Sequence, residues 1–125
     1  MILVRKSSGC YWENIVKLND DAVLLDLVMP DGITINTAAV YGPSHADDTD
    51  FWNNVKSNLD LRSSNGGKMI LGDYNVTLNF AHDTCNYLTN PHHLACKVIN
   101  QWLYNGDFAD FYEKLHPGKS LESKI

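Results

Sequence analysis

The sequence predicts a layered α/β or α+β domain, on three observations. Two apolar runs, Ala22 to Met29 and Ile33 to Tyr41, sit early in the chain with a Pro-Asp-Gly turn between them. Two later segments repeat apolar residues at helical spacing. Between those segments lies a short apolar run, Met69-Ile70-Leu71, that reads as a buried strand. Strand-rich first third, then helix, strand and helix, is the order of a sheet with helices laid against it.

Taken in order, Met1 to Arg5 is apolar enough for a strand, and Ser7-Ser8-Gly9 is a turn signal. Glu13 to Leu18 alternates only loosely. Ala22 to Met29 is a mostly buried strand. Pro30-Asp31-Gly32 turns the chain, with glycine where positive φ is needed. Ile33 to Tyr41 alternates Ile33, Ile35, Thr37, Ala39 and Tyr41 on one face, completing a β-hairpin. Gly42-Pro43-Ser44 stops that strand. The acidic stretch Ser44 to Asp50 suits a helix start, and Phe51, Trp52, Val55 and Leu59 predict an amphipathic helix over about residues 48–62. Ser63 to Gly67 is a loop. After Asn75 comes a polar loop containing Asp83. Asn90-Pro91 predicts a cap and first-turn proline. Ala95, Val98, Ile99, Trp102 and Leu103 mark a helix face that Asn105-Gly106 closes. Phe108 to Leu115 is a short apolar element before His116-Pro117-Gly118.

Composition bounds the function. The chain has 125 residues, 44% of them hydrophobic and 20% charged, so it holds at most one domain with an ordinary core. A formal net charge of −5 argues against a general basic surface for nucleic acid, though not against an enzyme that touches a few phosphates. Cys10, Cys85 and Cys96 lack framework spacing and fit a reduced intracellular compartment, cytoplasmic or nuclear. The opening residues do not read as a signal peptide. No apolar stretch approaches the roughly 20 residues of a membrane span.

The candidate chemistry centres on Gly72-Asp73-Tyr74-Asn75. Alternation along an extended chain points Asp73 and Asn75 the same way from the strand's end. A carboxylate beside a carboxamide there suits phosphate chemistry, and a plain Gly-Asp turn would look the same. Tyr41, at the end of its own strand, can donate from its phenol to a phosphate oxygen or simply close the strand. Asp83 could return over the same sheet edge or serve as a turn acid. His82, Cys85, His92, His93 and Cys96 invite a zinc reading, but Pro91 separates the two halves and no C-x-x-C knuckle is present. Cys96 can equally lie on the helix's apolar side. No nucleophile elbow, P-loop or G-x-G-x-x-G occurs in the sequence.

Three segments in order resemble one family. Thr37-Ala38-Ala39-Val40-Tyr41-Gly42-Pro43 resembles the strand ending in Tyr-x-Pro of the endonuclease/exonuclease/phosphatase (DNase-I-like) superfamily. Ile70-Leu71-Gly72-Asp73-Tyr74-Asn75-Val76 resembles its Gly-Asp-(Phe/Leu)-Asn motif. Asp107 to Tyr112 and Leu115-His116-Pro117 resemble the Leu-x-Asp-x-(Phe/Trp)-Arg-x-x-His-Pro segment of endonuclease domains from LINE-type (non-LTR) retrotransposons. Asn75 to Asn79 with Asp83 also resembles the loop of those enzymes. Order and spacing agree over residues 1–118.

The resemblance implies the central part of a four-layered α/β sandwich with incomplete sheets, one partial domain over residues 1–125. It implies Mg²⁺-dependent hydrolysis of a phosphodiester in DNA by activated water. Asp73 would orient or deprotonate the water. Asn75 would hydrogen-bond the phosphate and that water, and Tyr41 would donate to a phosphate oxygen. Asp83 is a further substrate-binding candidate. The family's metal-binding Glu and its Ser-Asp-His segment have no counterpart in these residues, and Glu13 falls too late to be that Glu. Tyr74 stands where Phe or Leu is usual, and Tyr112-Glu113 stands near the usual Arg. One carboxylate does not hold Mg²⁺, so the isolated chain is expected to be inactive or nearly so. Its partners would be DNA and the missing flanking segments of the same domain or a reverse transcriptase domain. Missing strands would leave apolar faces open around Val23, Leu25 and Val28. A lipid- or inositol-phosphate phosphatase of the same fold, or a non-catalytic remnant or binding module, are the alternatives.

Overall fold

The computed structural model describes residues 3–43, 48–75, 93–110 and Leu115. They form a mixed α/β fold: strands β1 (Tyr11–Asn19), β2 (Ala22–Val28), β3 (Thr34–Tyr41) and β4 (Lys68–Asp73), and helices α1 (Thr49–Asp60) and α2 (His93–Tyr104). The sheet order is β1-β2-β3-β4. The first three strands are antiparallel neighbours, and β4 runs parallel to β3. Parallel pairing needs a crossover, which α1 supplies. The chain divides into two compact units, Met1–Pro43 with Asn53–Tyr74, and Ser44–Trp52 with Asn75–Ile125.

The first unit holds the sheet. Its β2–β3 connection is the turn read from Pro30-Asp31-Gly32. The Gly32 amide donates to the Met29 carbonyl (2.9 Å), the Met29 amide donates to the Ile33 carbonyl (2.8 Å), and Gly32 has φ +86°. That is a type I turn followed by a left-handed residue, a natural hairpin closure. The β1–β2 connection is tighter still: Asn19 pairs with Ala22 across Asp20-Asp21, and the Asn19 side chain accepts from the Asp21 amide at 2.8 Å.

Two expectations for the amino-terminal end are corrected. Leu3 to Arg5 is not a strand, and a 3₁₀ turn follows at Lys6–Ser8. The first strand is instead the loosely alternating stretch, extended to Tyr11–Asn19. Its alternation is blurred because Asn14 and Ile15 together face one residue of β2, with Asn14 at φ +56°. A bulge of this kind shifts the side-chain period by one.

Register assigns the two faces. Leu24, Asp26, Asn36, Ala38 and Ile70 share one face, and Leu25, Thr37, Ala39, Tyr41, Leu71 and Asp73 share the other. The carboxy-terminal end of α1 is tied to the first face. Lys68 donates to the Asp60 carbonyl (3.0 Å), and the Asn36 amide reaches the Ser63 carbonyl (3.5 Å). Val55 and Leu59 of α1 are fully buried, as are Ala22, Leu24 and Ala38 of the sheet.

A charged clamp crosses the same face. The Arg62 guanidinium donates to Asp26 Oδ1 at 3.0 Å and to the Asn14 carbonyl at 2.8 Å. Asn36 and Asn14 donate to the two Asp26 oxygens at 2.7 and 2.8 Å. Burial alone raises the Asp26 pKa, but the bonds from Asn14, Asn36 and Arg62 and the Arg62 charge outweigh it and hold the carboxyl below its ordinary value.

The exposed apolar surface lies elsewhere than expected. Leu25 and Val28 are only 4% and 7% exposed, and Val23 is half-buried. Within the sheet, exposed apolar side chains include Trp12 (45%) and Ile15 (56%) of β1 and Leu71 (37%) of β4.

In the second unit, α2 buries Ala95, Cys96, Ile99 and Trp102, while Val98 and Leu103 of the stripe read from sequence are half-buried. Trp102 stacks edge-on to Trp52 (6.5 Å between centroids), Trp52 to Phe51 (5.0 Å), and Phe108 lies 5.8 Å from Trp102. The helix stops at Gly106, φ +78°, after amides of Asn105 and Gly106 bond back to Gln101 and Leu103. The Asn90-Pro91 cap lies outside the described residues. Phe108 to Asp110 has no regular structure, and the rest of that apolar element, Leu115 apart, lies outside the described residues.

Candidate functional site

Tyr41 and Asp73 are the last residues of β3 and β4 and pair directly in the parallel register. Neighbouring strands lie about 4.8 Å apart, and paired residues share a face. The two side chains therefore leave the sheet together at the carboxyl ends of two parallel strands, where open α/β sheets bind ligands. The backbone locks the pair: the Gly42 amide donates to the Asp73 carbonyl (2.6 Å), and the Tyr41 amide donates to the Asp21 carbonyl (2.8 Å). Both side chains are exposed, Tyr41 by 53%.

Gly72 makes this approach possible. It sits at φ +134°, and a Cβ there would run into the Val40 carbonyl oxygen. Only glycine lets β4 lie this close to β3 one residue before Asp73. The glycine of the Gly-Asp sequence is thus demanded by backbone packing.

Asn75 does not follow the alternation expected of it. β4 ends at Asp73, the Tyr74 hydroxyl turns back to donate to the Ile70 carbonyl (2.8 Å), and Asn75 has φ +55°. The chain has left the extended conformation, so period two no longer applies. Asn75 is half-buried and begins the second segment of the second unit, whereas Tyr41 and Asp73 belong to the first. Asp83 lies outside the described residues, as do His82, Cys85 and His92 of the zinc reading. Cys96 is 2% exposed on the apolar side of α2, and its sulfur accepts from the Asn100 amide at 3.1 Å.

Tyr41 and Asp73 form one end of a groove of about 580 Å³. Val23, Leu25, Ala39 and Leu71 form its floor, Trp12 and Ile15 its wall, and Asp20 and Asp21 join Asp73 at its rim. Sequence reading missed Trp12, Asp20 and Asp21. The signal was present in Asn19-Asp20-Asp21-Ala22, a two-residue hairpin loop that carries two carboxylates to the end of the sheet where β3 and β4 finish.

The donor set can be held against the Mg²⁺ that the resemblance implies. Among the described residues, no three His, Cys, Asp or Glu side chains converge. Mg²⁺ wants near-octahedral oxygen ligation, usually from one or two protein carboxylates plus substrate phosphate and water. Asp73 by itself does not fit that need.

Among the described residues, no helix is long and apolar enough to cross a membrane. The chain matches no family model, no curated protein and no solved structure.

Proposed function

We propose that the chain carries part of a phosphodiesterase site of the endonuclease/exonuclease/phosphatase type, closest to retrotransposon endonucleases, and that by itself it has little or no activity. The observation that supports this is the in-register pairing of Tyr41 with Asp73 at two parallel strand ends. The Asp73 carboxylate can accept a proton from a water, and the Tyr41 phenol can donate to a phosphate oxygen on the same face. Mg²⁺, when bound, would neutralise phosphate charge, and its further ligands would come from residues outside this set. In this reading the sheet is the central part of a four-layered sandwich, and DNA is the substrate.

A non-catalytic binding role is the second reading, favoured by the rim. Asp20, Asp21 and Asp73 line the groove, and among the described residues that line it there is no Lys or Arg. Such a rim repels a phosphodiester unless cations intervene.

Nicking of supercoiled plasmid in Mg²⁺, run beside Asp73→Ala and Tyr41→Phe, tests the activity claim. The expected result is no nicking above the Asp73→Ala control. Clear Mg²⁺-dependent nicking that Asp73→Ala abolishes would show that the site is complete. A titration of amide chemical shifts with a dinucleotide tests the site itself. Shifts at Tyr41, Gly42 and Asp73, lost on Asp73→Ala, are expected, and an unchanged spectrum in millimolar dinucleotide would reject a phosphate site at this edge.

A further inference from the structure

We infer that Asn105 is a site of spontaneous modification, at which the side-chain amide is lost through a cyclic imide, and that the fold shields Asn65 from the same reaction. The chain contains two Asn-Gly pairs, Asn65-Gly66 and Asn105-Gly106. Such pairs are prone to this chemistry because glycine carries no Cβ to obstruct its own amide nitrogen. The inference holds whether or not Tyr41 and Asp73 hydrolyse anything.

The reaction consumes only water. The glycine amide gives its proton to solvent hydroxide, and its nitrogen attacks the asparagine Cγ. An N–Cγ bond forms, the Cγ–Nδ2 bond breaks, and Nδ2 leaves as ammonia with a proton taken from water. Water then opens the cyclic imide. Cleavage of the new N–Cγ bond gives aspartate, and cleavage at the main-chain carbonyl gives isoaspartate. Nothing is oxidised or reduced, and an amide becomes a carboxylate. Attack requires that the glycine nitrogen be released from its hydrogen bond and swing onto Cγ.

At Asn65 both reacting groups are held by one residue of β3. The Gly66 amide donates to the Thr34 carbonyl at 2.9 Å, and the Thr34 amide donates to Asn65 Oδ1 at 2.8 Å. The Asn36 amide pins the same loop through the Gly67 carbonyl at 3.0 Å. A Cβ on Gly66 would lie 2.5 Å from Ile33 Cγ2 and 2.6 Å from the Thr34 carbonyl oxygen, so this peptide has little room to turn. Asn105 and Gly106 are instead exposed, just past the end of α2. The Gly106 amide reaches the Leu103 carbonyl at 3.2 Å, a longer bond in a turn of the kind that frays first. Gly106 stands at φ +78°, and among the described residues nothing lies within 4 Å of where its Cβ would be. Gln101 Nε2 donates to Asn105 Oδ1 at 2.9 Å, which polarises the carbonyl under attack and stabilises the oxyanion that forms there. The product carboxylate stands at the negative end of the α2 dipole, so the reaction loosens the turn that the Asp107 and Phe108 amides close on the Trp102 carbonyl.

The test is peptide mapping by mass spectrometry after incubation of the full chain at mildly alkaline pH, in buffer and in denaturing urea. In urea both pairs should react at comparable rates, since each asparagine precedes a glycine. In buffer the peptide holding Asn105 should gain the mass of an amide turned acid, while Asn65 lags about tenfold or more because its reaction waits on local opening of the loop. Asn105→Gln keeps an amide on a longer side chain and should remove the gain from that peptide, whereas a gain that persists there would place the reaction at another residue and overturn the assignment. Equal rates at the two pairs in the folded chain, or a faster reaction at Asn65, would overturn the inference. So would an unmodified Asn105 in buffer at the time when both pairs in urea have reacted.

Discussion

Arg62→Met separates the clamp that holds the sheet from the groove that faces solvent. Arg62 and Asp26 are 16% and 13% exposed, so their attraction is only weakly screened. Methionine keeps the length of the side chain but removes both donors. Asp26 would retain Asn14 and Asn36 as partners and lose its only opposite charge within the clamp. Breaking a buried pair from one side costs about 3–5 kcal/mol, and the retained amide donors place this case near the lower end, about 3 kcal/mol at neutral pH. The pH dependence carries a sign. The folded-state pKa of Asp26 is lowered, so its contribution is present above the ordinary carboxylate value and is lost as pH falls through the folded value. The difference between wild type and Arg62→Met should therefore be largest at pH 7 and shrink below about pH 4. Other carboxylates titrate in both proteins and cancel in the difference. Urea unfolding followed by far-ultraviolet circular dichroism at several pH values measures this. A difference under about 0.5 kcal/mol at pH 7, the range of ordinary surface changes, or one that does not change with pH, would refute the reasoning.

Gly72→Ala should destabilise by about 3 kcal/mol or unpair the end of β4, because a Cβ meets the Val40 carbonyl and φ is +134°; hydrogen exchange of the β3 and β4 amides would register it. Trp102→Ala should cost about 3–5 kcal/mol by emptying the aromatic cluster of the second unit, read by thermal unfolding. Tyr41→Phe and Asp73→Asn, at exposed strand ends, should change stability by no more than about 0.5 kcal/mol. A larger loss in chemical unfolding would mean that these residues serve the fold.

The elements that proved legible were those where one period dominates. Val55 and Leu59, and Ala95, Ile99 and Trp102, follow helical spacing and are buried as that spacing requires. Pro30-Asp31-Gly32 was legible because proline and glycine each demand a particular backbone. β1 was obscure because a bulge at Asn14 shifts its alternation partway along. The site was legible in part. Tyr41 and Asp73 announced themselves as strand-end residues, but only the parallel register, a long-range fact, makes them neighbours. Asn75 misled because period two assumes an extended backbone, and φ +55° ends that. Trp12 reaches the groove through pairing with β2, which no local pattern encodes. The Asp26–Arg62 pair is 36 residues apart in sequence and was equally hidden.

The reading proposed above is that Tyr41 and Asp73, paired at two strand ends, belong to a phosphodiesterase site. Reading the transcript on both sides of this frame tests it most directly. The account predicts an in-frame strand bearing a metal-binding Glu upstream and a Ser-Asp-His segment downstream. In-frame flanks encoding neither would contradict it, and Tyr41 and Asp73 would then be the rim of a binding groove and nothing more.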